Sequence, residues 1–477
     1  MPVTTLTAKR AIAKPRDAAD FEPFAIPQPG PNGVATSMLV RHIIHAIGIV
    51  TASIVPASGQ DAEQEVNKST IRLQWTNVGN GIIEDTEQIE ARAEITNDSQ
   101  ETVTAAIRWK VENDGVTKTS RGQLKSANQG TIELEPAETR AISLTCTPPA
   151  AGFYRFACIA KLSDAPEVNI SRIVGYKPRQ ITSPLTRAKD FDEFWRTTLS
   201  ALAEVQPQFN LEHHPGRATK SHEVYEVSMR SLEHATIRGW YQKPKGKGKG
   251  FPAILRVPGY GQEMQPDGED AELGYFSLSI RGHGNSCDDV PRMPENYWLR
   301  GLDDKTGYFY QGAYADCVRA VDFLMTRSEL DHKRIAVTGA SQGGGLSLAA
   351  AALDSRIAVC APDIPFLCDW NQYFKTSHWP EMDEWIADHP KHTWATTLKT
   401  LSYFDTMNMA HRIKCPVFAS LGVQDDICPP RTVFATFNRL AGPKEFRSYA
   451  NAGHYFPIEH AKERDVWIKS QLEKLVR

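Results

Sequence analysis

The pentapeptide Gly339-Ala340-Ser341-Gln342-Gly343 has the G-x-S-x-G spacing that can present a serine hydroxyl as a nucleophile. Alone the pattern is weak, so its flanks decide. The apolar run Arg334-Ile335-Ala336-Val337-Thr338 precedes it, and the small-residue run from Gly345 to Ala352 follows. Strand, sharp turn and helix form a nucleophile elbow, in which glycines admit a strained backbone and Ser341 is lifted above a sheet. A serine hydroxyl needs a general base, and the base needs a carboxylate to orient it. Both follow in order. The run Pro416 to Leu421 leads into Gly422-Val423-Gln424-Asp425-Asp426, and the run Phe446 to Tyr449 leads into Asn451-Ala452-Gly453-His454. His454 is the candidate base, and periodicity does not choose between Asp425 and Asp426 as its partner. An oxyanion needs two backbone N–H donors. Gln342, next to the nucleophile, supplies one. The turn Val257-Pro258-Gly259-Tyr260-Gly261 supplies the other, with Tyr260 favoured because glycines on both sides allow close approach. Such a set performs acyl transfer through a covalent intermediate and requires no metal or organic cofactor.

These residues need a rigid frame. From Phe191 onward, apolar strand patterns alternate with helical ones. Asp190 to about Val205 reads as a helix, Phe251 to Val257 and Tyr275 to Ile280 as strands, and Ala313 to Val321 as a helix. Further strands at Arg334 to Thr338, Ile357 to Cys360 and Pro416 to Leu421 precede a closing helix near Ala461 to Leu475. That alternation predicts a mostly parallel sheet with helices on both faces. The basic tract Lys245-Gly246-Lys247-Gly248-Lys249-Gly250 reads as the solvated tip of a hairpin.

The region before it differs. Gln88 to Ile95, Ala105 to Val111 and Phe153 to Ile159 alternate with period two, separated by turn clusters such as Pro148 to Gly152. Six or seven short strands are expected, as in an all-β immunoglobulin-like sandwich. It holds no cluster of catalytic residue types, so packing against the second region is favoured over ligand binding. Residues 1–37 are Pro- and Ala-rich without periodicity. Met38 to Gln60 combines Arg41 and His42, an apolar run from Ile43 to Val55 and the small residues Ala57-Ser58-Gly59, which is the pattern of a signal peptide. Residues 1–60 are therefore read as a disordered leader with a signal peptide starting at Met38. Residues 68–178 are read as the sandwich and 184–477 as the catalytic domain. A secreted or periplasmic location follows, in which Cys146 and Cys158 could pair.

The chain has 477 residues, 41% hydrophobic and 23% charged, which excludes a disordered or collagen-like protein. Its 54 basic and 57 acidic side chains give a net charge of −3, leaving no basic excess for nucleic acid. The apolar run near the N-terminus is shorter than the ~20 residues of a bilayer span, so no membrane span is expected in the mature protein. The eight cysteines contain no C-x-x-C pair, which argues against a zinc site.

From about Pro184 to Arg477 the chain resembles the acetyl xylan esterase and cephalosporin-C deacetylase family of α/β-hydrolases. The likeness rests on Asp190 to Trp195, Pro258-Gly259-Tyr260-Gly261, Arg281-Gly282-His283-Gly284, Ser341 to Gly345, Asp363 to Cys368, and Asp425 to Pro430. It implies that Asp425 is the triad acid, that Tyr260 and Gln342 donate to the oxyanion, and that Phe366 lies near a small acyl pocket suited to acetate. Two positions depart from the family, which usually reads Arg-Gly-Gln at 281–283 and His-Glu at 454–455. Several members form hexameric rings; because the sandwich and leader lie outside the family pattern, a homo-oligomer stays open here. The expected protein is a serine esterase that deacetylates carbohydrate or small acetyl esters. The alternatives are a prolyl-oligopeptidase-type serine peptidase, for which ~110 residues are too few to build a propeller, and a non-catalytic binding protein with a degenerate hydrolase region.

Overall fold

The computed structural model describes residues 70–76, 79–114, 129–246, 248–294, 296–377 and 379–476. The expected signal segment at 38–60 lies outside them. The described residues belong to one compact unit.

Among the described residues eight strands come first: β1 (Ile71–Trp75), β2 (Ile82–Ile83), β3 (Ile89–Asn97), β4 (Val103–Asn113), β5 (Gln129–Leu134), β6 (Thr139–Cys146), β7 (Gly152–Lys161) and β8 (Val168–Tyr176). They form two sheets, ordered β1-β3-β6 and β2-β8-β7-β4-β5. The inward residues of the two sheets share a core that includes Ile95, Trp109, Leu144, Phe156 and Cys158. The period-two pattern has its physical cause here, because along β3 buried and more exposed side chains alternate. Cys146 and Cys158 are free thiols on different sheets rather than a disulfide. Burial pushes their pKa values up to about 11 and about 12.

The second region opens with α1 (Phe191–Glu204), followed by β9 (Asn210–His213), β10 (His222–Arg230), β11 (Thr236–Pro244), β12 (Phe251–Arg256) and β13 (Gly274–Ser279). Then come α2 (Phe309–Met325), β14 (Leu330–Ala340), α3 (Gln342–Leu353), β15 (Ile357–Asp363), α4 (Trp370–Thr376), α5 (Pro380–Asp388), α6 (Trp394–Leu401) and α7 (Thr406–Met409). The chain ends with β16 (Val417–Gly422), α8 (Pro430–Phe437), β17 (Lys444–Tyr449) and α9 (Ile458–Lys474). One nine-stranded sheet runs β17-β16-β15-β14-β12-β13-β11-β10-β9. The six strands from β17 to β13 are parallel, and β11, β10 and β9 add an antiparallel wing. This is an α/β-hydrolase sheet. The tract at 245–250 is not a hairpin tip, because β13 lies between β11 and β12; it is a crossover loop.

The two regions share a core. Phe153 and Ile173 of the first sheets join the main cluster of the second, and the Phe153 ring lies 5.9 Å from that of Phe434 on α8. The Gln424 amide pairs with the backbone of Ile173 on β8, accepting at 2.9 Å and donating at 3.0 Å. Gln424 directly precedes Asp425, so the packing reaches the loop that carries the candidate acid.

Candidate active site

Parallel strands deliver their C-terminal ends to one edge of the sheet, where loops can converge. Ser341 follows β14, Asp425 follows β16, and His454 follows β17. Ser341 takes φ 58°, which an L-residue adopts only under strain. Three backbone bonds hold it there: its N–H donates to Asp363 O at 3.0 Å, and its carbonyl accepts from Gly345 at 3.1 Å and Phe366 at 2.9 Å. The strained residue is thus Ser341 itself, and the glycines serve close approach rather than an unusual φ. A Cβ at Gly339 or Gly343 would lie 2.5 Å from Val257 O.

His454 Nε2 lies 2.9 Å from Ser341 Oγ, and His454 Nδ1 lies 2.9 Å from Asp425 Oδ2. Asp425 is buried, and its other oxygen accepts from the N–H groups of Ile427 at 2.9 Å and Cys428 at 2.8 Å. Those two bonds fix the carboxylate, which in turn fixes the imidazole. Asp426 is exposed, and it is Asp425 that the loop turns toward the histidine.

Tyr260 sits on the loop after β12, and Gln342 opens α3 at the turn directly after Ser341. Among the described residues, neither N–H donates to another group in the chain. The Gln342 side chain is buried and ties these segments together. Its Oε1 accepts from the Tyr297 and Tyr310 hydroxyls at 2.9 and 2.8 Å, and its Nε2 donates to the carbonyls of Pro258 and Gly259 at 3.4 and 3.3 Å. Tyr297 OH also accepts from Gly261 N–H at 3.2 Å, and its ring stacks on Tyr260 at 4.3 Å. The arrangement joins a serine hydroxyl, an imidazole and a buried carboxylate in one hydrogen-bonded chain, a geometry that can perform acyl transfer.

A family model described as acetyl xylan esterase matches residues 165–472. The chain belongs to the acetyl xylan esterase family. An acetyl xylan esterase from a Paenibacillus species is similar over 62% of this chain and 98% of its own, at 33% identity and a TM-score of 0.57. Acetyl xylan esterase 1 from a Thermoanaerobacterium species is similar over 62% and 97%, at 29% identity and a TM-score of 0.56. The acetyl esterase Axe7A of Xylanibacter ruminicola is 28% identical over 63% of this chain and 71% of its own. As a member of this family the protein is a carboxylic ester hydrolase.

The family motifs acquire roles in this frame. Arg281 forms a buried double pair with Asp316 on α2, at 3.0 and 2.8 Å. Gly312 is required there, since a Cβ would lie 2.3 Å from the guanidinium. His283, where the family usually has Gln, is buried with Nδ1–H donating to Arg281 O at 3.0 Å and its ring edge against Tyr297 at 4.6 Å. Burial lowers its pKa and so favours the neutral ring. Tyr455, where the family usually has Glu, is exposed. Phe366 donates its N–H to Ser341 O and packs its ring against Trp370 and Tyr373 at 5.2 and 5.3 Å. Sequence reasoning missed Tyr297 and Tyr310, which lie in no motif. It also assigned no role to Cys428 or to the carboxylate of Asp363, although both lie inside quoted motifs. Among the described residues no helix is long and apolar enough to cross a membrane.

Proposed function

We propose that the protein is an exported serine esterase that removes acetyl groups from acetylated xylan, xylo-oligosaccharides or related small esters. The observation that carries this reading is the Ser341–His454–Asp425 chain, linked at 2.9 Å twice, within a member of the acetyl xylan esterase family. His454 takes the Ser341 proton as the hydroxyl attacks the acetyl carbonyl. Asp425 stabilises the imidazolium that forms and keeps its tautomer. The Tyr260 and Gln342 N–H groups receive the tetrahedral oxyanion, each contributing about 10²–10³ in rate. His454 then protonates the leaving alkoxide, and a water activated by the same histidine clears the acetyl-enzyme. Phe366 borders the acyl group. Acetate as the acyl group and carbohydrate as the leaving group follow the relatives' names.

Residues 68–178 are an immunoglobulin-like domain in this reading, and 184–477 the catalytic domain. Trp109 in the core between the two sheets supports it, as does Tyr154 at the start of β7, whose hydroxyl donates to Ala150 O at 2.7 Å in the manner of a tyrosine corner. The leader pattern in residues 1–60 supports export to a secreted or periplasmic location.

The test is hydrolysis of 4-nitrophenyl acetate against the hexanoate ester by the wild type and Ser341→Ala. A strong acetate preference that disappears in the variant is expected. Full activity in Ser341→Ala would sink the assignment, and a preference for hexanoate would overturn the acetyl specificity.

A further inference from the structure

Cys428 has no part in the hydrolytic steps, yet it occupies a decisive position. It is 2% exposed, its N–H holds Asp425, and its thiol lies beside the Ser341 hydroxyl. One sulfur, one imidazole nitrogen and one carboxylate oxygen, from Cys428, His454 and Asp425, all fall within 4.8 Å of one another. Ligand atoms around a tetrahedral zinc lie about 2.0–2.3 Å from the metal and so about 3.3–3.8 Å from one another, and a contraction of up to roughly 1 Å would close this set on an ion. The donors are a thiol, an imidazole and a carboxylate, a combination that suits zinc or cadmium and is a poor match for magnesium or calcium.

We propose that the active site is also a binding site for thiophilic divalent cations, held by Cys428, His454 and Asp425, whose occupancy switches the esterase off. The proposal rests on the triad reading above. The inhibition follows from the chemistry of imidazole. A metal on Nε2 occupies the lone pair that should receive the Ser341 proton. A metal on Nδ1 displaces the proton shared with Asp425 and leaves the remaining proton on Nε2, where the same lone pair is lost. Either way the base is gone. Binding exchanges the Cys428 thiol proton for the metal, forming a metal–sulfur bond and releasing one proton to solvent.

A second three-donor group occurs among the described residues. His214 Nε2 faces Glu212 at 3.8 Å and Glu226 at 4.0 Å on the antiparallel wing. It lies away from the triad loops and provides the control.

The experiment is a Zn²⁺ titration of 4-nitrophenyl acetate hydrolysis by the full chain in chelator-free buffer, after a fluorophosphonate has been shown to label Ser341. Loss of activity at micromolar Zn²⁺, reversal by EDTA, and indifference to millimolar Mg²⁺ and Ca²⁺ are expected. In Cys428→Ser and Cys428→Ala the half-inhibiting concentration should rise at least about tenfold, the scale of losing a metal-site partner. In His214→Ala it should not move. A second readout is independent of turnover: Co²⁺ should give a thiolate-to-cobalt charge-transfer absorption in the wild type that is absent in Cys428→Ser. Wild type that labels with fluorophosphonate but keeps full activity in millimolar Zn²⁺ would overturn the proposal. So would equal inhibition of the Cys428 variants, or inhibition lost in His214→Ala. Failure of Ser341 to label would instead overturn the triad reading, and the proposal with it.

Discussion

Replacing Asp363 by Asn should loosen all three segments that carry the triad. Asp363 ends β15 and is fully buried. Its Oδ1 accepts from Ser420 Oγ at 2.8 Å and His460 Nε2 at 2.7 Å, its Oδ2 accepts from Arg464 at 2.6 Å, and its backbone carbonyl holds the Ser341 N–H at 3.0 Å. Ser420 lies on β16 ahead of Asp425. Tyr449, whose hydroxyl is 2.8 Å from His460 Nδ1, and His460 itself stand on either side of His454 in the chain. Asn keeps the size but removes the charge and turns one acceptor into a donor facing other donors. Breaking a buried pair from one side costs about 3–5 kcal/mol, and the lower end applies because Arg464 keeps Asp465 at 2.8 Å. A 1 Å displacement of the elbow is worth about 10² in kcat. Burial alone would raise the Asp363 pKa, but Arg464 and His460 outweigh it and hold the value below the usual carboxylate range. Its contribution to stability is therefore complete above about pH 4 and fades as pH falls toward the lower folded-state value. Urea unfolding from pH 3 to 7, together with kcat per fluorophosphonate-titrated site, measures both effects. Stability within about 1 kcal/mol of wild type, with kcat per site within about twofold, would refute the reasoning.

Two further outcomes follow from the same geometry. Tyr297→Phe removes the hydroxyl that bonds Gln342 and Gly261, so kcat for 4-nitrophenyl acetate should fall about tenfold with KM little changed, and stability should drop by about 1–3 kcal/mol; a change in KM alone would contradict the bracing role. Burial, with the neighbouring Asp369 charge, pushes the Asp405 carboxyl up to about 7. The folded state then holds a proton that the unfolded state has lost between about pH 4 and 7, so wild-type stability should fall as pH rises through that window. Asp405→Asn should flatten the slope of the urea midpoint between about pH 4 and 7.

The parts that the sequence made legible were those with a local signature. The elbow around Ser341, the strands before Asp425 and His454, and the alternation of β3, β4 and β7 each write their period or turn into a few consecutive residues. The choice between Asp425 and Asp426 was not local, because it depends on which carboxylate the N–H groups of Ile427 and Cys428 capture. The antiparallel wing went unread because β9 to β11 carry mixed side chains, and its attachment to the parallel strands runs through β11 and β13, which are not consecutive in sequence. Sheet order likewise made the 245–250 tract a crossover loop, which hairpin logic based on Gly and Lys could not foresee. Tyr297 and Tyr310 brace Gln342 from 45 and 32 residues away, a relation that only the folded chain reveals.

The central claim is that Ser341 carries the acyl group. Wild-type protein mixed with excess 4-nitrophenyl acetate, quenched in acid and digested, should yield the Ser341 peptide with one added acetyl group. The same peptide should stay unmodified in Ser341→Ala and accumulate the adduct in His454→Ala only weakly. An acetyl group found on another residue, or wild-type turnover with no adduct under conditions where a 4-nitrophenol burst is seen, would contradict the account.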